Sequence, residues 1–236
     1  MDRTWVAVLC VAALVIVAAG AVFFATVGAS MLSNGLAELA ARSGPGVAVT
    51  LYRWAVSANP YDAAHRLELC RLYLQQGQQD AALALLQAGI DGGWATGPDL
   101  YLALASLYAD NGRLEDACTL LDSVPSDYIS RRLAGLRPEN AAAPPSGTYA
   151  SGRTFSLEGG GGAAWYQLDG GAWTLYGGPL ELQEGKHTLS VVTLDRDSVP
   201  SRVDEYRYTV EKLKTAAATW HMVRCPFCGE LWLELD

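Results

Sequence analysis

Two stretches of the chain repeat one another at an offset of 35 residues, and this self-similarity limits the fold more than any other feature. LELCRLYLQQGQQDAALALL (67–86) aligns with LALASLYADNGRLEDACTLL (102–121). Leu69, Leu72, Tyr73, Gly77, Ala82 and Leu86 fall on Leu104, Leu107, Tyr108, Gly112, Ala117 and Leu121. The Leu and Tyr recur at i, i+3 and i+4, which places them on one face of a helix. Gly77 and Gly112 stand where a helix ends in a left-handed residue. Ala82 and Ala117 are small, as close crossing of two helices requires. Each unit therefore reads as two helices joined by a Gly-containing turn.

The spacing of bulky, small, Tyr, Gly, Ala and Leu positions resembles the tetratricopeptide repeat (TPR). Repeats at about 63–97 and 98–130 match it, with Cys70 and Ala105 at the small position. A degenerate first repeat at about 30–62 is visible in Ala48, Tyr52, Ala55 and Pro60, with Met31–Arg42 as its first helix. Asp127–Leu136 is expected to cap the stack. GGWATGP at 92–98 departs from the family's compact Pro turn. The resemblance implies a concave surface that binds a partner protein, and a plain spacer is the alternative. Arg66, Arg71 and Tyr101 lie on first helices and are the candidate partner-binding residues.

Upstream, Trp5 to Ala29 is almost wholly apolar, with Arg3 before it and Glu38 as the next charge. As a helix it would be about 37 Å long, enough to cross a hydrocarbon core of about 30 Å. A single transmembrane anchor, with the lipid bilayer as partner of residues 5–29, is the expectation. A cleaved leader ending at Val27-Gly28-Ala29 is the alternative, although its apolar core is usually shorter. Arg3 favours an N-in orientation, placing the soluble part outside the cell at the membrane, with a cytoplasmic placement as the alternative.

Composition changes at Arg137. RPENAAAPPSG (137–147) reads as an extended Pro/Ala linker. Eleven Gly follow between 147 and 185, interleaved with short alternating runs at 154–159, 163–169, 172–176, 180–182, 187–195 and 203–210. Period-two alternation bounded by Gly, Pro and Asp predicts antiparallel strands and a small β-sandwich. Pro145-Ser-Gly-Thr-Tyr149, AWYQLDGG (164–171), Tyr176-Gly-Gly-Pro179, LSVVTLD (189–195) and Ser201 through Tyr206 together resemble the chitobiase/β-hexosaminidase C-terminal type module, which is fibronectin-III-like. Such modules carry no catalysis themselves. Trp165, Tyr166, Trp173 and Tyr176 would serve as a glycan platform if exposed, or as core if buried.

The chain ends in TWHMVRCPFCGELWLELD. Cys225-Pro-Phe-Cys228 has the form of one zinc-ribbon knuckle, whose tight turn aims two thiolates at one metal. His221 is a third candidate ligand. The Zn site is half complete and would need a second chain, making a homodimer, or a partner to finish it. A redox dithiol and an idle motif are the alternatives. Cys70 and Cys118 read as core thiols.

The chain carries 17 Lys+Arg against 25 Asp+Glu, for a net charge of -8, which argues against nucleic-acid binding. No nucleophile elbow, zincin motif or P-loop lysine occurs, and no enzyme activity is expected. The expected architecture is multidomain α plus β. It comprises a flank and transmembrane helix at 1–29, about three TPR-like repeats at 30–136, a linker at 137–147, an antiparallel β-sandwich at 148–212 and an apolar CxxC tail at 213–236. The expected function is a membrane-anchored, single-pass, non-catalytic adaptor that binds a partner protein. A cell-surface glycan-binding module and a metal or thiol-redox protein acting through the CxxC are the rivals.

Overall fold

The computed structural model describes residues 22, 25–212, 220–224 and 231–235. The described part of helix α1 runs over 25–41. Helices α2 (Pro45–Ala58), α3 (Ala63–Gln75), α4 (Gln79–Asp91), α5 (Asp99–Asp110), α6 (Leu114–Asp122) and α7 (Asp127–Ala134) follow. The strands are β1 (Gly147–Ala150), β2 (Thr154–Phe155), β3 (Ala163–Leu168), β4 (Thr174–Leu175), β5 (Leu180–Glu181), β6 (Gly185–Leu194), β7 (Asp204–Glu211), β8 (Trp220–Arg224) and β9 (Leu231–Leu235).

The helices form a stack of antiparallel pairs whose repetition is visible atom by atom. Gly77 and Gly112 adopt φ of 73° and 74°. Each lets the next residue donate back across the helix end, Gln78 N to Tyr73 O and Arg113 N to Tyr108 O, both at 2.8 Å. Ala82 and Ala117 are wholly buried, as the close helix crossing predicts. Ala48, Tyr52 and Ala55 are buried in α2, so the first repeat follows the same pattern. The starts of the helices are set locally. Asp62 caps α3 by accepting from Ala64 N and His65 N, Ser126 caps α7, and Pro45 opens α2.

The expectation of a transmembrane helix is corrected. Among the described residues, no helix is long and apolar enough to cross a membrane. The described part of α1 carries Glu38, paired with Arg42 just beyond the helix end, and buries Ser33, Ala37 and Ala40 in the stack, so this length is the first helix of a repeat. Of the expected span, residues 5–21, 23 and 24 lie outside the described residues. The single-pass topology and membrane localisation read from that span are corrected with it.

The expected all-antiparallel sandwich is also corrected. The main sheet is mixed, with order β1-β7-β6-β3-β4. β1 runs parallel to β7, pairing Gly147 with Tyr208, while the other ladders are antiparallel. β2 and β5 form a separate two-stranded ribbon. Asp169 (φ 52°) and Gly170 (φ 71°) make the tight turn between β3 and β4. The ribbon covers one face of the main sheet, enclosing Phe155, Leu189, Val191, Tyr208 and Val210. Phe155 and Tyr208 lie 4.6 Å apart between ring centres, with Tyr149 edge-on to both.

β6 is buried on both faces. Leu189 and Val191 point to the ribbon, whereas Val192 and Leu194 pack on Leu114 and Cys118 of α6. Trp165 and Trp173 join this second cluster. Val199, on the β6–β7 loop, inserts among Tyr101, Ala105, Ala117, Leu121, Ile129 and Leu133. The Pro/Ala segment threads along the same junction. Arg137 is nearly buried and bonds to Asp122, to Pro200 O at 3.1 Å and to Ser201 O. Asn140 Nδ2 donates to Val191 O at 2.7 Å, and Ala141 N to Thr193 Oγ1 at 2.9 Å. Helices, main sheet and ribbon are thus three layers in contact.

Two positions test this packing. A Cβ on Gly162 would meet the carbonyl oxygen of Leu194 at the start of the β3–β6 ladder, whereas one on Gly161 would meet nothing. Gly162→Ala is expected to destabilise the chain by about 1–3 kcal/mol, and Gly161→Ala by less than about 0.5 kcal/mol, in urea unfolding. At the end of the sheet, His187 Nδ1 lies 2.7 Å from Asp169 Oδ2 and its Nε2 lies 2.9 Å from Gln183 O. The bond to Asp169 raises the His187 pKa above its ordinary 6.5. The bond to His187, then that from Thr188 N, lowers Asp169 below its ordinary 3.8. The His187 contribution is full below its ordinary pKa and is lost as pH rises through the raised value. The Asp169 contribution is full above its ordinary pKa and is lost as pH falls through the lowered value. Thermal melts should therefore be highest between those limits, and His187→Gln should flatten the alkaline limb.

Candidate functional site

The helical stack carries a groove of about 380 Å³ between the end of α1, α2 and α3. Its floor is small and apolar, from Ala40, Ala48 and Leu72, and Tyr52 forms a wall. Glu68 and Arg71 stand at the rim, paired at 2.8 Å and about half exposed. They are three residues apart on α3, so the helix itself brings them together. Burial, then the Glu68 charge, raises the Tyr52 phenol pKa, against a smaller lowering by Arg71. The phenol therefore stays neutral at physiological pH. The groove offers an apolar floor, one cation and one anion.

Beneath this groove, Ser33, His65 and Asp62 come together from α1, α3 and the α3 cap. Ser33 Oγ donates to Ala55 O at 2.9 Å. Its only proton is thereby committed, so His65 Nδ1, also 2.9 Å away, donates to it. Asp62 Oδ2 lies 3.3 Å from the same Nδ1. A nucleophile relay needs the acid and the hydroxyl on opposite ring nitrogens. Here both meet one nitrogen, and Ser33 has no exposure. The trio ties α1 to α2 and α3 and is structural.

Of the three residues expected to face a partner, Arg71 alone is at the groove. Arg66 is 2% exposed and Tyr101 6%, which corrects both. Arg66 donates to Leu85 O at 3.2 Å and Pro60 O at 3.1 Å and lies 5.0 Å from the Trp94 ring centre. Its Nε has no partner, and burial lowers its pKa. Gly89 leaves room for it, since a Cβ there would lie 2.9 Å from Arg66 Cδ. Arg66 thus anchors the GGWATGP connection to α3. The sequence held this signal: Arg66 and Tyr101 are separated by the repeat offset, and one repeat position is a core position in both copies. Tyr52 was legible as a position of the first repeat, whereas Glu68 and the trio carried no such marker.

The four aromatics expected as a glycan platform do not share a surface. Trp165 and Trp173 pack toward α6, Tyr166 packs toward the ribbon, and the Tyr176 hydroxyl accepts from Leu157 N at 3.1 Å. Cys70 and Cys118 are buried and their thiols are pushed up to about 11 by burial, so they stay protonated and unreactive. His221 lies on β8, opposite Glu234 of β9. Cys225 and Cys228 fall outside the described residues. Among the described residues, no group of three His, Cys, Asp or Glu could hold a metal ion.

Protein-family models give no match for the chain. The curated proteins give no relative. Among solved structures, a thermophilic TPR protein of Thermus thermophilus is similar at 27% identity and a TM-score of 0.30, over 46% of this chain and 61% of that one. The N-terminal part of a bacterial S-layer protein is similar at 14% identity and a TM-score of 0.20, over 89% of this chain and 65% of that one. The chain spans less than two thirds of the length of either, and neither superposition is close enough to define a fold.

The contrast between Arg66 and Arg71 is testable. Arg66→Ala removes a buried cation and leaves Pro60 O without its donor, and should cost about 2–4 kcal/mol in chemical denaturation. Arg71→Ala should change stability by less than about 0.5 kcal/mol.

Proposed function

We propose that this chain is a non-catalytic adaptor that holds a segment of a partner protein in the groove between α1, α2 and α3. The observation that carries this reading is the groove itself, with its floor of small residues and its exposed Glu68–Arg71 pair. Charged rims around an apolar floor give orientation and register to a bound segment. A TPR-type classification of the stack is supported by the equal helix-end hydrogen bonds at the repeat offset. The β layers, read as a chitobiase-type module, serve in this proposal as a rigid cap on the far end of the stack.

The test is an array of random-sequence peptides probed with the full chain and with Glu68→Arg and Arg71→Glu variants. Both positions are exposed, so the variants should fold. At least one peptide class should bind the parent chain, and each reversal should weaken it at least about fivefold. An array that stays blank, or peptides bound equally by all three proteins, would overturn the reading.

A further inference from the structure

A second cleft, of about 430 Å³, opens between α6 and the main sheet. It is independent of the groove just described and lies at the opposite end of the stack. Glu115, Thr119 and Asp122 line it from α6, while Gln167 and Trp173 line it from β3 and the β3–β4 turn. We propose that this cleft takes an arginine side chain from a basic segment of a partner protein.

Four observations support the choice of ligand. First, the Glu115 carboxylate has no hydrogen bond or ion pair among the described residues, although its neighbours Arg113 and Asp116 are paired with each other at 2.6 Å. Second, Gln167 lines the cleft, and while one of its two amide N–H groups donates to Gly171 O at 2.8 Å, its Oε1 accepts no hydrogen bond among the described residues. Third, Trp173 is half-buried, packs against the cluster of Leu114, Cys118, Val192 and Leu194, and lines the cleft. Its position is held by packing, and an indole face attracts a cation most strongly of the aromatic rings. Fourth, among the described residues no cation lines the cleft. Arg137 is the basic group beside Asp122, and each of its three nitrogens already donates, to Pro200 O, Asp122 and Ser201 O.

The cleft therefore presents acceptors, negative charge and a π face. An anionic ligand is repelled, and a neutral one leaves the Glu115 charge unmatched. Glu115 and Asp122 are seven residues apart on α6, about 10 Å along the axis, too far to share one metal ion. A guanidinium suits the arrangement better than an ammonium. It is planar, so it stacks on the indole while its edge donates to Glu115 and Gln167 in its own plane. The net charge of -8 attracts a basic segment at long range.

The test uses the full chain and three fluorescein-labelled pentapeptides, alike except for a central arginine, lysine or citrulline. Fluorescence anisotropy reads binding at low salt. Binding of the arginine peptide, at least about fivefold tighter than the lysine peptide and tighter still than the neutral citrulline peptide, is expected. Glu115→Gln should weaken it at least about fivefold, while Glu181→Gln, on the ribbon side of the sheet, should leave it unchanged. Trp173→Leu should weaken it as well. If that variant does not fold, Trp173→Phe, which keeps a smaller ring, should show a partial loss. No binding of the arginine peptide would overturn the proposal. Equal losses in the Glu115 and Glu181 variants would reduce it to general charge attraction. Lysine binding as well as arginine would remove the planar assignment. Displacement by spermidine at equal concentration would make a free polyamine the occupant, in place of a peptide. None of these outcomes bears on the α1–α3 groove, whose own variants are at Glu68 and Arg71.

Discussion

The burial of β6 from both sides is the contact on which the rest of the structure depends. A strand in a two-layer sandwich buries alternate residues only. β6 instead buries Leu189, Val191, Val192, Thr193 and Leu194, because the ribbon covers one face and α6 covers the other. Neither the helical stack nor the sheet closes its own core at this end. Leu114 and Cys118 of α6 need Val192 and Leu194, and Val199 from the sheet fills the space between α5, α6 and α7. Removing either layer would expose an apolar face on the other.

Packing two apolar layers together leaves polar backbone at the seam that must be satisfied. The segment after α7 meets this need. Arg137 supplies donors to Pro200 O and Ser201 O, while Asn140 supplies them to Val191 O and Arg202 O. Thr193 Oγ1 accepts from Ala141 N in return and donates to Asn140 Oδ1 at 3.0 Å. A stretch that composition marks as loose is therefore the fastening between layers. The same logic operates inside the stack, where Ser33 and Arg66 satisfy carbonyls that apolar side chains could not reach, and His65 bonds to Ser33 Oγ. These polar contacts fix which surfaces face each other, and hydrophobic burial supplies the driving force.

How far the molecule was legible in the sequence depended on the range of the interaction concerned. The helix pairs and their Gly turns follow from spacing within about a dozen residues, and Gly77 and Gly112 behave alike for that reason. The strand positions followed from alternation, yet β1 did not, because its parallel pairing with β7 joins residues about 60 apart in the chain. Arg66 was misread because charge alone suggests a surface. Its burial depends on Gly89, Trp94 and two carbonyls from other elements. The apolar N-terminal run was read as one span, and the described helix beyond it buries Ser33, Ala37 and Ala40 in the stack.

What the sequence by itself determined were the local periodicities. They define repeated helix pairs, short strands rich in Gly turns and an acidic surface without enzyme motifs. These properties depend on backbone preferences and on neighbours within a few residues, so one chain read linearly contains them. The tertiary structure alone decided that the sheet would dock on α6, that Arg66 would be enclosed while Arg71 stayed open, and that Glu115 would meet Trp173 across a cleft. Those outcomes come from contacts between elements far apart in the chain, where small differences in shape and unsatisfied polar groups select one packing.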